Sequence, residues 1–115
     1  MASVRLIALL KRKPGTTHEE FLEHWRAVHG PLIADSSLTQ WVRRYEQHPA
    51  AWPPPGSRGP EPEYDGVTIQ WFDSVSAFWE HVADPHQVLV NADIQTFLDP
   101  AGIQWVLTDD PTVVI

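Results

Sequence analysis

The chain has 115 residues, 43% of them apolar, a net charge of −7 and no cysteine. That length allows one domain over residues 1–115, with a single modest core. The acidic balance argues against nucleic acid or an anionic membrane as partner, and the lack of cysteine excludes disulfides, thiolate metal sites and a cysteine nucleophile.

The N-terminus shows no secretory pattern, because the apolar run Leu6–Leu10 is short and the basic residues follow it. No apolar run is long enough to span a bilayer, so a cytoplasmic protein is expected. Six tryptophans and six histidines are many for this length, and so much aromatic surface must be buried in a core, an interface or a ligand cavity.

Ser3–Leu10 reads as the first strand. Val4, Leu6, Ala8 and Leu10 alternate with Ile7 and Leu9, the pattern of a strand covered on both sides. Lys11-Arg12-Lys13 and Pro14-Gly15 end it. A helix follows, with Thr17 and Glu20 as a capping box, or Thr16 and Glu19 in the neighbouring register. Phe21, Trp25, Val28 and Leu32 form its apolar stripe. Gly30-Pro31 is expected to interrupt it, since proline lacks an N–H and disfavours helical backbone at the residue before it. A shorter helical piece then runs from about Pro31 to Ser36–Ser37.

Leu38–Gln47 reads as the second strand, with Trp41, Arg43 and Tyr45 on one face and Gln40, Val42, Arg44 and Glu46 on the other. Such mixed polarity suits an edge strand or a wall of a solvated cleft. Pro49–Pro62 is rich in proline and has no periodicity, which marks a functional or mobile loop. Tyr64–Asp73 is the third strand, in which Val67, Ile69 and Trp71 alternate with Thr68, Gln70 and Phe72. Ser74 or Asp73 caps a second helix at about Val75–Ala83, which Asp84-Pro85 ends. Residues 86–98 are expected to form one or two short helical turns. Ile103–Leu107 is the fourth strand, and the tail Pro111–Ile115 follows.

This order, β-α-β-β-α-β, is the ferredoxin-like α+β plan, a four-stranded antiparallel sheet with both helices on one face. The other face then has no cover, although Ile7, Leu9 and Val106 point to it. Two such sheets packed face to face across a two-fold axis would bury it, so the periodicity points to a homodimer. The apolar Val113–Ile115 is placed to reach the partner.

His29 is the first candidate for chemistry. It stands near the expected end of the first helical piece, where the dipole favours the charged imidazole, and four residues after Trp25. Two roles fit: capping the helix end, or shuttling protons near neutral pH. His24 lies roughly 140° away on a regular helix, so the pair should not converge on one metal. His81 and His86 share that spacing, and no His-Glu-x-x-His motif occurs, so no metal is expected and His18, His24, His81 and His86 read as surface residues. Trp41, Tyr45, Tyr64 and Trp71 lie on the second and third strands. With Trp25 they either fill core and interface or wall a cavity for a flat aromatic ligand, tyrosines orienting a phenol or carbonyl and tryptophans stacking a ring. Trp52, within the proline-rich loop, either closes over a ligand or docks on a partner. Asp35, Asp65 and Asp73 are the aspartates weighed as partners of His29, and none stands out. No serine-nucleophile elbow, P-loop or dinucleotide fingerprint is present.

The stretch Lys11–Leu32, with Phe21-x-x-x-Trp25-x-x-x-His29-Gly30-Pro31, resembles the first helix of EthD-domain proteins, members of the dimeric α+β barrel superfamily. Phe97-x-Asp99 matches more loosely, and residues 9–33 carry most of the likeness. The resemblance implies a dimeric α+β barrel and a helix–sheet cavity bordered by His29. It also implies an enzyme that needs no cofactor. Such an enzyme would act by acid–base chemistry on a hydrophobic aromatic or polyketide-like carbonyl compound, by dehydration, cyclisation or oxygenation, with His29 as general acid–base. The alternative is a non-catalytic ligand-binding or accessory protein of a xenobiotic-degradation pathway. A haem-binding or haem-degrading member of the superfamily is a third reading, and adding haem would then produce a Soret band.

Overall fold

The computed structural model describes residues 3–115. Four strands, β1 (Val4–Leu10), β2 (Val42–Pro49), β3 (Gly66–Phe72) and β4 (Gln104–Thr108), form one antiparallel sheet in the order β2-β3-β1-β4. The helices α1 (His18–His24), α2 (Gly30–Ala34), α3 (Val75–Ala83) and α4 (Gln87–Phe97) complete the element order. This is the ferredoxin-like plan that the periodicity predicts.

Alternation decides which side chains meet the helices. Val4, Ala8 and Leu10 of β1 and Thr68, Gln70 and Phe72 of β3 are buried on the helix side. Ile7 pairs with Ile69 and Val106, and Leu9 with Val67, so these apolar residues share the opposite face. No helix among the described residues covers that face, and Val106 is exposed on it.

The second strand is shorter than the alternation predicts. Ser37–Gln40 form a 3-10 turn, and the strand begins at Val42. A bulge between Val42 and Arg44 then changes the register. Val42 pairs with Phe72 and Tyr45 with Gln70, so both point to the helices, whereas strict alternation separates them. Arg43, the extra residue, donates two hydrogen bonds to Asp73 at 2.8 and 3.0 Å.

The helix starts follow local chemistry. The Thr17 hydroxyl accepts from the Glu20 N–H and the Glu20 carboxylate accepts from the Thr17 N–H, each at 3.1 Å, which selects the Thr17 capping box. Ser74 caps α3 by accepting from the Ala77 N–H. Within residues 86–98, Gln87–Phe97 form one continuous helix rather than short turns, with Val90 and Phe97 buried. Trp25 is fully buried, and a Cβ built on Gly66 would come within 2.7 Å of its ring. Glycine there lets the indole lie on the sheet backbone. No helix among the described residues is long and apolar enough to cross a membrane.

Candidate functional site

Gly30-Pro31 does not break the first helix. Residues Trp25–His29 form a single π turn, and α2 continues from it. The Gly30 N–H bonds the Trp25 carbonyl five residues back, and the Gln47 side chain donates to the same oxygen at 2.7 Å. The extra residue in the turn absorbs the proline, whose missing N–H would have left an α-helical carbonyl unpaired. His29 therefore lies inside a longer helical run and has no helix C-terminus beside it.

The same turn overturns the placement of His24. With i→i+5 bonding, residues five apart come to one side. His24 Nε2 lies 2.7 Å from Asp93 Oδ1, and His29 Nδ1 lies 2.7 Å from Asp93 Oδ2. One carboxylate on α4 thus engages two imidazoles. The Phe97 ring packs on both, with centroids 4.5 Å from His24 and 5.0 Å from His29. Asp93 is the partner that sequence reasoning missed. It lies three residues after Val90 and four before Phe97, on the buried stripe of α4, and a carboxylate on an apolar stripe is the signal that marks it.

Burial acts first on the His29 imidazole, and holds it below its ordinary 6.5 although the bond to Asp93 and its charge pull the other way. Burial also pushes the Asp93 carboxyl up, but the bonds from His29 and His24 outweigh it and hold the group below its ordinary 3.8. At neutral pH the result is a neutral imidazole whose Nδ1–H donates to a carboxylate. The Nε2 lone pair is left over and bonds to no group among the described residues.

His29 lines a cavity of about 310 Å³ between the helices and the sheet. Leu6, Ile33, Phe78, Val90, Ile94 and Trp105 make most of it apolar, and Tyr45, Thr68, Gln70 and His81 are its main polar groups. The volume and lining are those of a small-molecule site. Trp105 is 55% exposed, which places it at the mouth. Burial raises the Tyr45 hydroxyl above its ordinary 10.0, so it stays protonated and accepts from Gln47 at 3.1 Å.

Of the residues expected to wall a cavity, the structure brings Tyr45 to it alongside His29. Trp25 is sealed in the core between Phe21 and Gly66. Trp41 packs against the core and points its N–H at Asp84. Trp71 lies on the opposite face of the sheet, with the Arg44 guanidinium 5.6 Å from its ring centre. Tyr64 precedes β3 and does not line the cavity. The aromatic wall comes instead from Phe78 and Trp105, whose ring centroids are 5.7 Å apart.

His18, His81 and His86 are not solvated surface residues. His81 is buried, and His86 Nε2 bonds the Leu32 carbonyl at 2.8 Å. His18 Nδ1 bonds the fully buried Asp65 at 2.8 Å, and Arg12 donates to both oxygens of that carboxylate through its backbone N–H and its guanidinium. Trp52 stacks on His18, so it anchors the proline-rich loop to α1. No cluster of three or more metal-ligating side chains occurs among the described residues.

The sequence matches the family model of the EthD domain over residues 13–101. Among curated proteins none has a matching sequence. Solved structures share the fold along nearly the whole chain. An EthD family protein from Bacillus halodurans is 17% identical, with a TM-score of 0.71 over 95% of this chain and 99% of that one. The hydroxynitrile lyase of Passiflora edulis is 13% identical, with a TM-score of 0.69 over 98% and 97%. SnoaB, a cofactor-independent oxygenase from Streptomyces nogalater, is 12% identical, with a TM-score of 0.64 over 99% and 98%. At these identities the likeness shows a common fold, while the family match, which holds the His29-Gly30-Pro31 helix and Asp93 within its bounds, makes this chain a member of the EthD-domain family.

Proposed function

We propose that the protein is a cofactor-independent enzyme that moves protons on a hydrophobic aromatic or polyketide-like carbonyl compound. One observation carries the reading: a buried, neutral His29 is oriented through Nδ1 by Asp93, and its Nε2 is free beside a largely apolar cavity. A base held in this way removes a proton from carbon next to a carbonyl, or from a hydroxyl, and returns it to the departing or newly formed group. The apolar wall excludes water, and Tyr45 supplies a protonated hydroxyl on the sheet side of the same cavity. That two proteins of this fold carry the names of a lyase and a cofactor-independent oxygenase supports an enzymatic reading.

The test is turnover on a panel of aromatic cyanohydrins, anthrones and phenolic ketones without added cofactor. Wild type should convert at least one compound, and His29→Gln should lose roughly 100-fold or more, the usual size of a general-base contribution. Asp93→Asn should lose activity in the same direction. Equal turnover by wild type and His29→Gln would reject the role of His29. Saturable binding without any turnover favours the second reading, a ligand-binding accessory protein, which the cavity itself supports.

The protein is further proposed to act as a homodimer. The uncovered sheet face carries Ile7, Leu9, Val67, Ile69, Trp71 and Val106, an apolar surface that two copies would bury against each other.

A further inference from the structure

We propose that His81 is a second ligand-facing residue of the cavity, whose Nε2 accepts a hydrogen bond from a hydroxyl of the ligand, so that the site selects hydroxylated planar aromatics over their methyl ethers. The inference rests on the reading of the cavity as a ligand site.

His81 belongs to α3, is 7% exposed and lines the cavity on the helix side. Its Nδ1 lies 3.3 Å from the Phe78 carbonyl oxygen. A carbonyl only accepts, so Nδ1 carries the proton and the lone pair of the neutral ring sits on Nε2. That nitrogen bonds to no group among the described residues. The ring packs against Phe72 and Phe78, at 4.8 and 5.8 Å between centroids, which holds its orientation. Burial favours the neutral form, so the lone pair is available at neutral pH.

Gln70 adds an independent observation from the sheet. It is 9% exposed and lines the same cavity, and its side-chain oxygen is buried without a partner. Buried acceptors are ordinarily matched by donors. Here the enclosed Gln70 oxygen lacks one, His81 Nε2 on the helix side carries no bond among the described residues, and the remaining lining is mainly apolar. A flat hydrocarbon body fits the apolar walls, and its hydroxyl donates one hydrogen bond, on this proposal to His81 Nε2. Its methyl ether fits the apolar walls and leaves the acceptor unmet.

The experiment is calorimetric titration of the full-length protein with β-naphthol and with its methyl ether. Wild type should bind the naphthol about tenfold more tightly, the difference expected of one hydrogen bond to a buried acceptor. In His81→Phe the ratio should fall to about one, and in His81→Gln, whose carbonyl can replace the lone pair, it should return. A measurement on wild type needs no variant to fold: the nitrogen-15 resonance of His81 Nε2 should shift with β-naphthol and stay in place with the ether. Equal binding of both compounds leaves the cavity reading standing and overturns the role of His81, as does a preference that survives in His81→Phe. Binding of neither compound overturns both.

Discussion

The imidazole of His18 lies flat on the indole of Trp52, with ring centroids 3.7 Å apart and planes 5° from parallel. Trp52 also receives the Arg12 guanidinium, 5.4 Å from its ring centre, and Arg12 is tied to the buried Asp65. The proline-rich loop is therefore tethered at one end by an aromatic sandwich. Trp52→Ala should cost about 1–2 kcal/mol in chemical denaturation, from lost stacking and lost buried area. It should also speed tryptic cleavage after Arg58, within the loop. Unchanged cleavage would show that the tether does not restrain it.

Stability should depend on pH through the buried histidines. Burial lowers both His29 and His81 below 6.5 in the fold. Above 6.5 both states hold these rings neutral and nothing is lost. Below it the unfolded chain takes up protons that the fold resists, so stability should decline as pH falls from 6.5 towards the lower folded values. Asp93 acts in another window. Its contribution is complete above 3.8 and disappears as pH falls through its lowered folded value. Denaturation midpoints between pH 7 and pH 5 should decline, and less steeply in His81→Phe if that variant folds. A flat profile would contradict the neutral assignment.

Gly66→Ala should be more harmful than a surface change of the same size. The new methyl would meet the Trp25 ring at 2.7 Å, and the indole has no room to retreat, being fully buried. Overpacking of this kind costs about 1–3 kcal/mol. A denaturant titration measures it, and neutrality would mean that Trp25 can move.

Ile69→Asp probes the uncovered sheet face. Ile69 sits between Ile7 and Glu46 in the register, near the middle of the apolar patch. On the proposed pairing, a charge there should convert a dimer into a monomer in sedimentation at micromolar concentration. A wild-type protein that already sediments as a monomer would remove the proposed dimer.

Much of the architecture was readable from alternation and capping. Val75–Ala83 follows from Ser74 and an apolar stripe, and the Thr17–Glu20 box marks the helix start. What escaped depends on single-residue insertions. The bulge at Arg43 moves Tyr45 to the helix side, and the π turn brings His24 to His29. Periodicity assumes a constant repeat, so one extra residue misplaces every side chain after it. His29 itself was legible as a candidate. Its neighbour Asp93 was not, because it comes from a segment sixty-four residues away whose helical continuity was underestimated. Tryptophans on the helix and strands suggested cavity walls, but Trp25 lies in the core, Trp41 packs against it and Trp71 is on the far face.

Asp93 bridges His29 to the half-buried His24 and also accepts from the Thr96 hydroxyl at 3.4 Å, so the cavity-lining ring is held at the end of a hydrogen-bonded chain. On the proposed chemistry, exchange with a bound molecule takes place at Nε2 of His29, while Nδ1 is held by Asp93. Whatever His29 removes from a bound molecule it must hand back to that molecule, or to water entering past Trp105, before the next cycle. A site so wired suits rearrangements and eliminations whose proton ledger closes within one turnover.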